Sequence, residues 1–343
     1  MRNIIKIVAC LLLFSACNHK ELCFHHPHTA KVKLGVDWSQ FEKEVPTGMT
    51  VMIYPQDGSP AIRQLSNTTT HIVTDLEAGL YNTIVYNQSE TEYGSVAFVG
   101  MDDFNTAEVR INTYESRWYA SRGEGERVVM QPEWIGTDSF TDALVTPEMV
   151  QITGNELLET ISRSRTTYTE FLIASHVPQN IIYTINVKVH LKNAYNLRSA
   201  RASLDGLAAS YSFAEARTTE KQATQLLEQW NLTIDKNDPT KGYITTQITT
   251  LGLPYGHSQQ PDDNEFVLSM LLVDGETIVD APFKVGDQLS QRYNDEGKLV
   301  LEFDLELWYD TPLPDVKPAG SSGGGFGAVV DDWGEEHNVD IGL

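Results

Sequence analysis

Cysteine is nearly absent from this chain. Only three occur in 343 residues, at Cys10, Cys17 and Cys23. The first two fall within or directly after an N-terminal secretory signal, which leaves Cys23 alone. No intramolecular disulfide is then possible, so the fold must be held by its hydrophobic core. Cys23 is either an ordinary side chain or a thiol that pairs with another chain.

Long hydrophobic runs and positive charge are also scarce. The apolar run Ile7–Phe14 is about eight to ten residues long, whereas a membrane-spanning helix needs roughly twenty. The chain carries 25 Lys and Arg against 47 Asp and Glu, for a formal charge of −22. Such a surface repels nucleic acid and anionic lipid headgroups. The composition therefore excludes a nucleic-acid partner and a basic membrane-binding patch.

The N-terminus carries the most informative motif. Arg2 and Lys6 form a basic head, Ile7–Phe14 an apolar run, and two small residues precede Cys17. This pattern predicts a signal peptide over residues 1–16. The small-small-Cys ending resembles the bacterial lipobox, which implies a lipid-modified Cys17 carrying diacylglycerol and a further acyl group such as palmitate. Several acyl chains anchor a protein stably. The alternative is an ordinary cleaved signal followed by a chance cysteine.

The pattern after the signal predicts an all-β fold. Residues 17–28 are predicted to form a tether, and apolar and polar residues then alternate from Ala30 to Trp38, which is typical of a half-buried strand. Further strands are predicted at Met49–Tyr54, Ala61–Leu65, His71–Leu76, Tyr81–Asn87, Ser95–Gly100, Ala107–Thr113 and Arg127–Gln131. Their spacing of roughly ten residues indicates a β-sandwich or barrel.

A second β-domain is predicted to begin at residue 161. Its strands are expected at Ile181–Leu191, Ala200–Leu204, Ala208–Phe213, Ile244–Leu251, Glu265–Leu272 and Lys298–Tyr309. Helix signals are few, and Thr218–Gln229 and Val285–Arg292 are each expected to hold a turn or two. The predicted division is therefore residues 29–160 for the first sandwich and 161–318 for the second.

The C-terminal segment 319–343 differs from the rest. A Gly-rich linker around Gly320–Gly325 precedes a stretch rich in apolar residues. A strand after a flexible linker can complete its own domain or pair with another molecule. The candidates for such strand exchange are Val329, Val330, Trp333, Val339 and Ile341.

The sequence contains few signals of catalysis or metal binding. The chain has no Gly-rich phosphate loop with lysine and no HExxH, and the Gly-Ser-Ser-Gly of residues 320–323 is a low-complexity linker instead of a nucleophile elbow. His19, Cys23, His25, His26 and His28 could ligate a transition metal, although a solvated tether explains them as well. The acidic segments Asp235–Asp238 and Asp262–Glu265 lack a complete calcium loop. The sequence therefore predicts no enzyme, no metal site and no cofactor.

Three aromatic residues leave a second interpretation open. Trp118, Tyr119 and Trp134 could stack on sugars, although such residues more often belong to a core or interface.

Framework motifs along nearly the whole predicted mature chain resemble one family. They are Val36-Asp-Trp38, Pro46-Thr-Gly-Met49 with the strand to Pro55, Leu76-Glu-Ala-Gly79-Leu-Tyr81 continuing to Asn87, Ser203–Ala208 and the Gly-rich tail leading to Val330-Asp-Asp-Trp333. Together with the lipobox they resemble the fimbrillin-like surface lipoproteins of Bacteroides-type bacteria, near the fimbrial anchor and accessory subunits. The resemblance implies two tandem transthyretin-like, Greek-key β-sandwich domains.

The resemblance also implies a mode of assembly. In polymerising members an arginine-specific protease removes the lipid and first strand, and a neighbour's strand fills the groove. Here residues 39–48 contain Lys43 but no arginine, and the first arginine after the signal is Arg63. The sequence thus predicts a lipid-anchored outer-membrane subunit, at the cell surface, that keeps its first strand and joins other fimbrial subunits by β-strand addition. The alternative is a surface glycan-binding lipoprotein of a nutrient-uptake system, with a glycan or host ligand as its partner.

Overall fold

The computed structural model describes residues 28–41, 45–120, 123, 125–163, 168–256, 260–289, 292–295 and 299–320. Within these ranges the chain is mostly β, with one α-helix and several sheets, which confirms the predicted class in its coarse form. No helix in the described ranges is both long and apolar enough to cross a bilayer. The expectation of only short helices is wrong, because α1 (Pro147–Arg163) has 17 residues.

The strands follow one another along the whole described chain. Those before the helix are β1 (Thr29–Val36), β2 (Met49–Pro55), β3 (Ile62–Ser66), β4 (His71–Glu77), β5 (Gly79–Asn87), β6 (Val96–Val99), β7 (Glu108–Ile111), β8 (Val128–Val129) and β9 (Gly136–Val145). After the helix come β10 (Phe171–His176), β11 (Gln179–Asn180), β12 (Tyr183–Lys192), β13 (Leu197–Ala208), β14 (Ser210–Ser212), β15 (Arg217–Thr218), β16 (Gln222–Leu227), β17 (Asn231–Ile234), β18 (Lys241–Thr250), β19 (Glu265–Leu272), β20 (Ile278–Lys284), β21 (Arg292–Tyr293), β22 (Leu299–Val300) and β23 (Glu302–Tyr309). Short 3-10 turns occur at Glu90–Glu92, Phe104–Thr106, Ala194–Asn196, Pro254–Gly256, Pro261–Asp263 and Gly286–Gln288.

These strands form six sheets, numbered here for reference. Sheet 1 has the order β10-β1-β4 and sheet 2 the order β11-β9-β5-β2-β3. Sheet 3 is β15-β14-β7-β6, sheet 4 is β20-β19-β13-β16-β8, and sheet 5 is β17-β18-β12-β23. Sheet 6 is the pair β21-β22. Every strand predicted from the sequence within the described residues overlaps one of these strands, and the predicted terminal strand lies outside those residues.

Strand β2 of sheet 2 is buried on both faces, which explains the unbroken apolar run at Met49–Tyr54. Val51 and Ile53 point into a core shared with sheet 1, whereas Met52 and Tyr54 point into a second core shared with sheet 3. Side chains alternate across a strand, so a strand with apolar residues at every position must be covered on both sides. Three layers therefore stack in this part of the molecule.

Sheets 4 and 5 face each other across a third core. The inward residues of β12, Ile185, Val187 and Val189, are at most 2% exposed. The residues between them, such as Asn186 and Lys188, lie on the outer face. In β23, Phe303, Leu305 and Leu307 are buried and the acidic residues between them are exposed, as the alternation predicts.

The helix α1 begins with ordinary start signals. The Thr146 hydroxyl accepts a hydrogen bond from the backbone N–H of Met149 (3.3 Å), Pro147 occupies the first helical position, and Glu148 lies in the first turn. A hydroxyl cap, a proline without an N–H to lose, and an acidic first turn all favour a helix start. The helix packs against β1.

The helix predicted at Thr218–Gln229 is absent from the structure. Residues 218–229 hold the end of β15 and all of β16 instead of a helical turn. Five consecutive residues of β16, Ala223–Leu227, are buried, because the strand lies between β13 and β8 and is covered on both faces. The other expected helix, Val285–Arg292, contains one 3-10 turn at Gly286–Gln288.

The domain division at residue 160 stays a prediction. Two strand pairings join residues before position 160 to residues after it. Phe171–His176 runs parallel to β1 in sheet 1, and β14 pairs with β7 in sheet 3. The second core also draws on both halves of the chain, with Ile84 and Val109 beside Phe213 and Leu251.

Candidate functional site: the first strand and its surroundings

The sequence predicts functional roles for a lipid-modified Cys17, for the first strand and for the terminal segment. Cys17 lies outside the described residues, as do the strand-exchange candidates Val329, Val330, Trp333, Val339 and Ile341. Strand β1 lies inside them. Of the three features that the sequence predicts to act in assembly, β1 is the one that the described residues contain.

Strand β1 is the central strand of sheet 1. Thr29 to Gly35 pair antiparallel with residues 77 to 71 of β4. On the opposite side, Val32 to Val36 pair in parallel with Phe171 to His176 of β10, with a bulge after Lys33. Both edges of β1 are thus hydrogen-bonded, and removal of the strand would leave β4 and β10 without a partner between them.

The inner face of β1 is completely buried. Ala30, Val32 and Leu34 are each 0% exposed and pack in the core between sheets 1 and 2. Burying a side chain of this kind contributes roughly 1.5–3 kcal/mol for Val or Leu. The outer residues Lys31 and Lys33 are half-buried. The alternation predicted from the sequence is therefore confirmed.

The start of β1 is held by α1 at the place where β10 has not yet begun. The hydroxyl of Thr153, which is 7% exposed, accepts a hydrogen bond from the backbone N–H of Lys31 (3.2 Å). The Lys31 ammonium lies 5.4 Å from the ring centroid of Tyr168. A buried N–H without an acceptor would cost about 1–3 kcal/mol, so Thr153 replaces the missing strand neighbour.

The end of β1 is locked by the aromatic residue of the Val-Asp-Trp motif. The indole N–H of Trp38 donates to the carbonyl of Thr69 (2.8 Å), and the ring contacts Phe41 at 5.6 Å between centroids. Phe41 in turn meets Trp134 edge-on at 5.0 Å. A Cβ on Gly136 would lie 2.9 Å from both Trp38 and Phe41, so this position accepts only glycine without a shift of the rings.

A hydroxyl, an imidazole and a carboxylate line up beside the end of β1. The two ring nitrogens of His176 lie 2.9 Å from the Thr83 hydroxyl and 3.1 Å from the Asp138 carboxylate. The backbone N–H of Val177 donates to the same Asp138 oxygen (3.1 Å). A nucleophile must touch its substrate, but Thr83 is 0% exposed within the sheet. The chain of groups therefore ties sheet 1 to sheet 2 as a structural link.

Arg63, the first arginine after the predicted signal, is exposed on the edge strand of sheet 2. It is in β3, opposite Met52 of β2, and its guanidinium contacts Glu90 at 3.6 Å and the Ser89 hydroxyl at 3.2 Å. Cleavage after Arg63 would separate β1 and β2 from the rest of the chain. Since β2 is the strand between β5 and β3 and is buried on both faces, such a cut would dismantle sheet 2.

The other sequence candidates take part in local structure. Trp118 is half-buried, with its indole N–H bonded to Glu228 and the Arg201 guanidinium 5.4 Å from its ring. The Tyr119 hydroxyl donates to Glu126 (2.6 Å). These contacts and the packing of Trp134 favour the core or interface interpretation.

The acidic loops cap their own turns. Asp235 accepts from the N–H of Asn237 (2.8 Å), and Asp263 accepts from that of Gln260 (2.9 Å). Among the residues that the structure describes, no group of three or more His, Cys, Asp or Glu is placed to hold a metal ion.

Comparison with known proteins gives a consistent set of likenesses. The profile of the family described as "Domain of unknown function (DUF5119)" matches residues 16–228. The "Putative fimbrium anchoring subunit Fim4B" of Bacteroides ovatus is 21% identical over 98% of this chain and 96% of its own length. The predicted resemblance to fimbrial anchor and accessory proteins is thereby confirmed as a distant homology.

One solved structure supports a shared fold. A crystal structure titled "putative adhesin" from Bacteroides ovatus covers 88% of this chain and 99% of its own, with a TM-score of 0.53 and 13% identity. The fimbrial anchor protein Mfa2 from Porphyromonas gingivalis covers 82% of this chain and 90% of its own, at a TM-score of 0.40 and 14% identity. The TM-score of the Bacteroides ovatus structure indicates a common fold.

Proposed function

Because the chain belongs to the family of domain of unknown function DUF5119, and is distantly homologous to a protein named as a fimbrium anchoring subunit, we propose that it is an outer-membrane lipoprotein that anchors or assists a fimbrium. It carries its lipid on Cys17 and retains its first strand. The protein acts by holding other subunits and catalyses no reaction.

The position of β1 is the observation that carries this proposal. The strand is paired on both edges, its inner face is buried in the core, and α1 and Trp38 hold its two ends. The stretch between β1 and β2 contains no arginine, and the next arginine lies within sheet 2. A protein that must stay attached to its lipid needs such a first strand, since the tether enters the fold through it.

The tether sets how far the folded part can stand from the membrane. Residues 18–28 separate Cys17 from β1. Eleven residues extend at most about 3.5 Å each, which gives a reach of about 40 Å. Partner subunits join by strand addition, and β3 supports this because it is the edge strand of sheet 2 with Ile62 and Leu65 exposed.

Replacement of the lipidated cysteine tests the anchor. We expect Cys17→Ser to shift the protein from the membrane fraction to the soluble fraction, with its unfolding midpoint unchanged because the predicted tether precedes the first strand in the sequence. Cys23→Ser is the matched control and should stay with the membrane. A Cys17→Ser protein that remains membrane-bound would contradict the lipid assignment.

Sequencing of the N-terminus tests retention of the first strand. Protein recovered from fimbriated cells is expected to start at Cys17, with a blocked, lipid-modified amino terminus. A start between residues 40 and 65 would show that β1 had been removed, and the anchor role would then be wrong.

A further inference from the structure

A cleft of about 530 Å³ lies between the β9–β11 side of sheet 2 and the β14–β15 side of sheet 3. One wall comes from β9 and β11, and the opposite wall from β14, β15 and the turn Pro254–Gly256. This volume falls within the roughly 300–1,000 Å³ usual for small-molecule sites. We propose that the cleft binds a neutral carbohydrate, one or two sugar rings in size.

An exposed and well-supported tyrosine provides the stacking surface. Tyr255 lines the cleft and is 40% exposed. The Arg217 guanidinium lies 5.3 Å from the centroid of its ring, and its hydroxyl donates to Glu220 (3.2 Å). These two contacts fix the orientation of the ring. Aromatic rings held in this way present an apolar face to the C–H groups of a sugar while their polar ends stay wet.

The backbone at this wall is strained. Tyr255 has φ of 55° and Ala216 has φ of 50°, both in the left-handed region. Side chains at such positions cost about 1–2 kcal/mol each, and residues of this kind cluster at ligand clamps. The strain places the Tyr255 ring in the cleft at a cost to stability, which a merely structural turn could avoid by using glycine.

The polar groups of the opposite wall suit hydroxyl ligands. Asp138 is 32% exposed in its side chain and is positioned by His176 and by the Val177 N–H, both at one carboxylate oxygen. Gln179 and Asn180 add amide groups beside it. Carboxylates only accept hydrogen bonds, whereas amides both donate and accept, and sugar hydroxyls need both kinds of partner.

The charge of the cleft argues for a neutral ligand. Arg217, the cation of the lining, forms an ion pair with Glu215 at 2.7 Å, and Asp138 is negative. The whole chain carries −22. A phosphate, sulfate or uronate would meet repulsion here without a spare cation to compensate, whereas an uncharged sugar would not.

A glycan array tests the proposal with the intact protein in detergent. The array should carry neutral oligosaccharides together with sialylated and sulfated ones. We expect binding to a subset of the neutral sugars and none to the charged ones. Absence of binding to every neutral sugar, or binding to charged sugars only, would overturn the proposal.

Variants locate the binding. Tyr255→Gly removes the ring at a position where glycine fits the backbone, so the fold should be kept while affinity falls at least about tenfold. Asp138→Asn should also weaken binding, and Gln179→Ala serves if that variant fails to fold. Trp308→Ala is the matched control, because Trp308 is 57% exposed on the outer face of sheet 5, stacked on His190 at 5.0 Å. Loss of binding in Trp308→Ala with full binding in Tyr255→Gly would overturn the proposal.

Discussion

At the residue scale, the left-handed backbone conformation of Ala216 lowers the stability of the fold, and this effect is separate from ligand binding. Ala216 is exposed and has φ of 50°, a conformation that an L-residue adopts at a cost of about 1–2 kcal/mol. Glycine adopts this conformation without strain. Glycine is also more flexible in the unfolded chain, which lowers the free energy of unfolding by about 0.4–1 kcal/mol.

We therefore expect Ala216→Gly to raise the free energy of unfolding by about 0.5–1 kcal/mol. Urea unfolding with an unchanged m-value would measure it. The matched control is Ala78→Gly, at an exposed position that is not among those with positive φ, which should lower stability by about 0.4–1 kcal/mol. A loss of stability at both positions would contradict the strain argument.

Glu108 is the residue whose charge joins the two halves of the chain. Burial disfavours its ionised form, but hydrogen bonds with Ser210 and Lys221 and the charges of Lys221 and Arg110 hold the pKa of its carboxyl below the usual value of 4.5. The Lys221 ammonium lies 2.9 Å from both carboxylate oxygens. Because the folded-state pKa is lowered, this stabilisation is present above the ordinary carboxyl pKa and is lost as the pH falls through the folded one.

Glu108→Gln is expected to lower the free energy of unfolding by about 1 kcal/mol at pH 7, since Lys221 is partly exposed and the pair is screened. The difference from wild type should shrink toward zero at pH 3. Urea unfolding at the two pH values measures it. Glu276→Gln, on an exposed turn, should change stability at pH 7 by less than about 0.5 kcal/mol. An equal loss at both pH values would assign the effect to packing instead of charge.

At the element scale, β1 is a structural member of the core as well as the strand that follows the proposed tether. Leu34→Ala is expected to cost about 2–5 kcal/mol, because Leu34 is 0% exposed between sheets 1 and 2. Lys33→Ala, one residue away on the outer face, should cost less than about 0.5 kcal/mol. Chemical denaturation of both variants measures the difference. Equal costs would mean that β1 is not packed as described.

The strands were predictable because their alternation is local. In β1, β12 and β23 each inward residue follows the previous one at a spacing of two, so the buried face can be read directly. Strand β16 could not be recognised, since Ala223 to Leu227 are buried on both faces and then lose all periodicity. The sequence has helix start signals at Thr146 and Pro147. No sequence pattern, however, indicates that a helix connects β9 of sheet 2 to β10 of sheet 1.

At the scale of the whole molecule, the second core unites distant parts of the chain. Phe213 is 1% exposed and lies in the same cluster as Tyr86, which belongs to sheet 2. The Phe213 ring also stacks near Tyr86 at 6.1 Å between centroids. Such sharing couples the unfolding of the two halves, because neither half buries this core alone.

Thermal unfolding of the intact chain is accordingly expected to show one cooperative transition. A fragment ending at residue 160 should show none, because it lacks β10 beside β1 and the Phe213 side of the second core. Calorimetry on both proteins measures this, and Phe213→Ala should shift the single transition of the intact chain as a whole. Two separate transitions in the intact chain would show that the halves are independent.

The candidate sites differ in how far sequence could reveal them. The lipid motif at Cys17 is contiguous, so seventeen residues suffice to predict it. The cleft joins Asp138, Asn180, Arg217 and Tyr255, which are tens of residues apart and sit in no recognisable motif. Only the pairing of the sheets brings them together, and the left-handed φ of Tyr255 is not encoded by a typical turn residue.

If the protein is tethered as proposed, the two-sided pairing of β1 has a mechanical consequence. Tension between the membrane and a fimbrium would pull this strand along its own axis. Hydrogen bonds in sheet 1 run across the strand on both sides, so the load acts on them in shear and many must break together. A strand at the edge of a sheet, pulled from one end, would peel away one bond at a time. The central place of β1 would thus make the proposed attachment point resistant to force.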